Sequence, residues 1–174
     1  NPPAEYVELG VSTCFSFLRG ASDAVDLATT ANALGYDKIG CADLNTMAGV
    51  VRLYTEAHKA RVKPVIGCRL QLMSGEEFLA YPRNRAAYGQ LCTLLSKGKM
   101  QDVDGGWQAK GLCHITLDDL AKHAEGVQLV VLPGPDLIHF SAGLRRLKQA
   151  LPTMKHIAAS YLYQGDDRAR RKKA

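Results

Sequence analysis

The chain has 174 residues, 47% of them apolar and 22% charged, with 16 Gly and 7 Pro, which suits about one folded domain with its own core. That composition excludes disordered and collagenous chains and two large independent domains, and the lack of an apolar run of about 18 residues excludes a helical membrane span. The net charge of +5 is mostly a tail, because residues 166–174 carry five bases and two acids and leave only +2 for everything before them.

In chain order, Tyr6 to Val11 has strand composition, and Ser22 is placed to cap a helix over Asp23 to Leu34 whose Val25, Ala28, Ala31 and Leu34 share a face. Gly35 suits the stop of that helix. Lys38 to Ala42 then reads as a short strand, Ala48 to Arg61 as a helix and Pro64 to Leu72 as a strand. Such alternation predicts right-handed crossovers and a parallel sheet, open or closed into a barrel. Glu77 to Tyr81 reads as a strand, Asn84 to Lys97 as a helix, and Gly98 to Cys113 as a polar loop holding the only tryptophan, Trp107. Thr116 with Asp119 three residues on marks the N-terminus of a helix that ends near Gly126. A buried strand follows at Val127 to Leu132, a helix at Leu137 to Leu151 and a last strand at Lys155 to Tyr163, before a solvated helix from Asp166.

The chain opens on Asn1 and stops inside a charged run, so we expect a piece of a longer protein, and without a charged-then-apolar leader before Tyr6 we expect it in the cytoplasm. Cys14, Cys41, Cys68, Cys92 and Cys113 are odd in number and at least 21 residues apart, a pattern that fits neither a disulfide framework nor a zinc ribbon. The spacing of 27 residues between Cys14, Cys41 and Cys68 is the period of one strand–helix unit, and buried inert thiols account for it better than a shared metal does. No phosphate loop, dinucleotide fingerprint, zinc-peptidase motif or nucleophile elbow is present, and His58, His114, His123, His139 and His156 are scattered one to an element.

The motifs of the first 70 residues carry the most information. Tyr6 to Ser22, Gly40-Cys-Ala-Asp-Leu-Asn45, Gly49-Val-Val-Arg52 and Pro64-Val-Ile-Gly-Cys-Arg-Leu70 together resemble the N-terminal polymerase-and-histidinol-phosphatase (PHP) domain of bacterial DNA polymerase III alpha subunits. Ala86 to Cys92, Leu94 to Gly98 and Ile115 to Gly126 fit the same domain, and Gly165-Asp-Asp-Arg168 is similar to the error-prone class. The resemblance implies an α/β fold, a distorted (β/α)7 barrel truncated at its C-terminal strands, with the domain over residues 1–165 and a basic tail over 166–174.

It also implies a barrel mouth that in metal-competent relatives binds divalent ions through a His-x-His, an acid, an Asp-His pair and a Glu. Gly10 and Ser12 stand where the two histidines belong, and Arg19 stands at the acidic place. Asp43 is kept, Leu44 replaces the histidine after it, and Arg69 replaces the Glu. Too few donors remain for a clustered site, and arginine stays protonated and does not ligate cations. We therefore expect no metal or other cofactor here, with Arg19 and Arg69 either standing in for the ion by pairing with Asp43 or another mouth carboxylate, or pointing to solvent from loops. By strand alternation Asp43 shares a face with Ile39 and Cys41, as a buried hydrogen-bonding acid.

The function so implied is that of a structural domain without catalytic residues. It packs on the polymerase core of the same chain, in a magnesium-dependent, error-prone DNA polymerase that reaches DNA as the full-length protein. A metal-dependent phosphoesterase or 3′–5′ proofreading exonuclease using Cys14, Asp43, Cys68 and a histidine is the alternative, and a third reading has Arg168, Arg170, Arg171, Lys172 and Lys173 touching nucleic acid. An exposed sheet edge would also favour a dimer.

Overall fold

A computed structural model describes residues 6–102, 104–134, 136–158, 165, 167 and 168. Helix α1 spans Ala24–Ala33, and its cap is Asp23, whose carboxylate accepts from the amides of Val25 and Asp26 at 2.9 and 3.0 Å. The expected cap, Ser22, yields to its neighbour because a carboxylate satisfies the same amides and also opposes the helix dipole. The buried face is Ala24, Ala28 and Ala31, whereas Val25 and Leu34 are 47% and 62% exposed, against expectation. Small residues face inward because α1 lies against both a second helix and a strand. The helix stops at Gly35, in the left-handed region at φ +76°.

Strand β1 (Lys38–Leu44), helix α2 (Val50–Lys59) and strand β2 (Lys63–Gln71) follow as predicted, within a residue or two at their ends. The two strands are parallel, in a register running from Lys38↔Lys63 to Leu44↔Arg69. Helices α1 and α2 cover one face of β1 through Ala28, Ala31, Ile39 and Ala57, and through Ala24, Cys41, Val50 and Leu53. The expected first strand over Tyr6 to Val11 reduces to an isolated bridge, Glu8↔Ile39. Its ladder is short because the Gly10 amide donates to the Glu8 carboxylate at 3.1 Å instead of to a neighbouring strand. These elements, β2 as far as Arg69, belong to one compact unit, residues 1–69.

The second unit, residues 70–174, holds β3 (Glu77–Pro82), α3 (Arg85–Met100), α4 (Leu117–Lys122), β4 (Val127–Leu132), α5 (Leu137–Ala150) and β5 (His156–Ile157). A wholly parallel sheet was the expectation, but β3 and β4 are antiparallel, while β4 and β5 are parallel. The physical reason is a tight reversal at Leu72–Glu76, where the Leu72 amide donates to the Glu76 carbonyl at 2.9 Å and Gly75 takes φ +98°. Helix α3 is capped by Asn84, which accepts from the Ala87 amide at 2.9 Å, and it runs three residues past the predicted end. Gly98 permits this because a Cβ there would meet the His114 carbonyl at 2.8 Å. Thr116 caps α4 as predicted, accepting from the Asp119 amide at 3.1 Å, although the helix stops at Lys122 before Gly126. The remainder of the expected last strand, 159–163, and the tail positions Arg170, Arg171, Lys172 and Lys173 lie outside the described residues. The fold is mixed α/β, and no described helix is long and apolar enough to cross a membrane.

Candidate functional site at the ends of β1 and β2

Asp43 sits at the C-terminal end of β1 with no solvent exposure. A buried carboxylate is costly unless its oxygens are hydrogen-bonded, and here each oxygen receives two donors. Oδ1 accepts from the Thr13 amide at 2.7 Å and the Ser16 hydroxyl at 2.6 Å. Oδ2 accepts from the Thr13 hydroxyl at 2.8 Å and the Cys41 thiol at 3.7 Å. Four donors thus meet the roughly four lone-pair sites of an ionised carboxylate.

The loop that delivers these donors is itself tightly built. Ser16 and Gly20 donate backbone amides to Thr13 and Ser16 at 2.9 and 3.0 Å, which folds Thr13–Gly20 into consecutive turns. Ser16 Oγ also accepts from the Leu44 amide at 3.0 Å, tying the loop to the strand end a second time. Gly49, which precedes α2, completes the enclosure, because a Cβ there would press on Asp43 Oδ2 and on the Thr13 hydroxyl, the latter at 2.6 Å. The Cys68 thiol donates to the Asp43 carbonyl at 3.4 Å, so β2 joins the same cluster.

Electrostatics follow from this burial. Burial first, and then the Asp43 charge, push the Cys41 thiol up to about 12. At neutral pH Cys41 is therefore a protonated donor, the opposite of the thiolate that a metal or a nucleophilic mechanism needs. Cys14 is exposed, whereas Cys41 and Cys68 are buried.

The other positions that the resemblance assigns to a metal site fall in the same unit. Leu44 and Arg69 are register partners, one residue beyond the pair Asp43↔Cys68. Strand alternation puts the Leu44 and Arg69 side chains on one face and Asp43, with Cys41, on the other. Of the two pairings expected for Arg69, with Asp43 or with another mouth carboxylate, the one with Asp43 is not formed, because the groups that reach Asp43 are all neutral. Gly10 and Ser12 are half-buried and bring no imidazole, Leu44 and Arg69 are also half-buried, and Arg19 is exposed. Arg168 lies in a separate stretch of the chain, the second unit.

These residues do not fit a divalent cluster: the one retained carboxylate has its acceptor sites filled, and the other expected positions hold a glycine, a hydroxyl, an alkyl chain and two cations. Among the described residues no group of three or more His, Cys, Asp or Glu is arranged to hold an ion. Sequence reasoning missed Thr13, Ser16 and Gly49. The only signal was a run of small hydroxyl residues ahead of an acid 30 positions later.

Comparison with known proteins gives these features a frame. The family model described as the PHP domain matches residues 8–163. The chain is 44% identical over 178 aligned positions to an error-prone DNA polymerase of Bradyrhizobium diazoefficiens, covering 98% of the chain and 15% of that protein. It is 42% identical to error-prone DNA polymerase 1 of Agrobacterium fabrum, covering 95% and 15%. The chain thus spans about 15% of the length of these curated relatives. In structure it resembles a protein described as a metal-dependent phosphoesterase from Bifidobacterium adolescentis, with TM-score 0.67, 12% identity, and coverage of 100% of this chain and 84% of the other. It also resembles the lesion-specific endonuclease of Pyrococcus furiosus, with TM-score 0.53, 12% identity, and coverage of 86% and 40%. At these identities the two structures speak for the fold alone.

Proposed function

The chain belongs to the PHP domain family, and from that premise we propose that it is the N-terminal scaffold of a longer error-prone DNA polymerase, with a metal site that has become a hydrogen-bonded joint. The observation that carries this reading is Asp43, whose four acceptor sites are filled by Thr13, Ser16 and Cys41. The domain itself performs no catalysis and takes no cofactor. Nucleotidyl transfer and its magnesium belong to the polymerase core of the same polypeptide, in the cytoplasm, DNA is reached by the full-length protein, and this domain supports that core by packing on it.

The joint links three segments, the Thr13–Gly20 loop, β1 and the start of α2, which a bridging ion would otherwise hold. Removing the carboxylate by Asp43→Ala strands two hydroxyls and an amide without their acceptor, at a cost of about 3 kcal/mol or more. We expect Asp43→Ala in the full-length polymerase to lower the thermal midpoint and to reduce primer extension in proportion. Release of nitrophenol from a phosphodiester should stay at background with manganese or zinc, in wild type and variant alike. Chelator-sensitive hydrolysis that disappears in Asp43→Ala would overturn the scaffold reading in favour of a phosphoesterase or exonuclease.

A further inference from the structure

Helix α3 runs directly into a hairpin that the Asp43 joint does not involve. The Gln108 amide donates to the Met100 carbonyl at 3.0 Å, Gln101 and Trp107 form an antiparallel bridge, and the Asp102 amide donates to the Gly106 carbonyl at 2.9 Å. Gly105 takes φ +79° at the turn. The base is fastened by His114 Nδ1, 3.0 Å from the Asp102 carboxylate. On this braced support Trp107 stands 85% exposed. An indole held outward on a hydrogen-bonded hairpin offers a large flat face to a partner.

The charges nearby favour one class of occupant. Asp102 faces His114, and Asp119 is engaged by Lys97 at 2.6 Å. Within residues 99–110, Lys99 and Lys110 are exposed, one at each end, against one exposed carboxylate, Asp104. An outward ring with cations on either side along the chain suits a nucleobase stacked on its face and phosphates beside it. We propose that the Trp107 hairpin is a stacking site for single-stranded nucleic acid, with Lys99 and Lys110 supplying the phosphate contacts. The proposal goes beyond the scaffold function and does not depend on it, because it uses no residue of the Asp43 joint.

The chain's only tryptophan makes the test direct. The probe is a short oligothymidylate titrated at low salt, with indole fluorescence excited at its red edge so that tyrosines stay silent. Expected are saturable quenching and an affinity whose log falls against log salt with a slope of about −1.4, for two phosphates on a single strand. Trp107→Ala, read by anisotropy of a labelled oligonucleotide, should weaken binding roughly 5- to 150-fold with an unchanged thermal melt. Three results would overturn the proposal. They are no quenching, equal affinity in Trp107→Ala, or a blue shift that grows with protein concentration alone and shows a protein surface covering the ring.

Discussion

Cys41 and Asp43 lie two residues apart on one strand face, both buried, with the thiol donating to the carboxylate. Cys41 is raised to about 12 in the fold, from an ordinary value near 9. The sign of the linkage is fixed by proton count: between those two values the unfolded chain has lost the thiol proton and the folded chain keeps it. Stability from this group is whole below pH 9 and is lost as pH rises toward 12, at up to about 1.4 kcal/mol per pH unit. Thermal melts should therefore fall more steeply above pH 9 in wild type than in Cys41→Ala. Parallel curves for the two proteins would show that the thiol is not a buried donor to Asp43. On the acid side, Asp119 is held below the usual carboxylate range by the Lys97 hydrogen bond, with Thr116 assisting. Its partner ammonium is well exposed, so solvent screening leaves little of that shift as stability.

At the scale of elements, two glycines forecast opposite outcomes for the same substitution. Gly49 precedes α2 at an ordinary φ of −75°, so alanine suits the backbone, but its Cβ would collide with the Asp43 and Thr13 side chains. Gly49→Ala should destabilise by about 1–3 kcal/mol, as overpacked sites do. Gly89 lies on the exposed side of α3 with nothing near its missing Cβ, so Gly89→Ala should stabilise by about 0.5–1 kcal/mol. Denaturant midpoints of the two variants check both signs, and a stabilising Gly49→Ala would mean that the enclosure around Asp43 is loose. The same contrast shows what sequence can report. Period-2 alternation placed Asp43 beside Cys41 and Ile39, and strong local signals placed β1, α2, β2, the Thr116 cap and the Gly35 stop. The Ser22 cap and the Val25 and Leu34 face failed because neighbours in space chose Asp23 and the alanines. The antiparallel pairing of β3 with β4 followed from one five-residue reversal, too short to register as an element. Thr13 and Ser16 were invisible as partners of Asp43 because hydroxyls carry no spacing rule, and only loop closure brings them to it.

At the scale of the molecule, two compact units divide the candidate roles. The first, residues 1–69, holds the Asp43 joint and every degenerate ligand position, and the second carries the Trp107 hairpin. About 85% of the length of these curated relatives lies outside the region matched here. The central claim is that neutral hydrogen-bond donors, and no ion, hold the strand ends of the first unit together. An ion that bound only the folded state would raise stability by mass action, by about 2.7 kcal/mol at a hundred times its dissociation constant. The most direct measurement is the thermal midpoint of the chain in excess zinc or manganese, compared with the same protein in excess chelator. We predict identical midpoints; a midpoint that climbs with metal, falls with chelator and loses both responses in Asp43→Ala would contradict the claim.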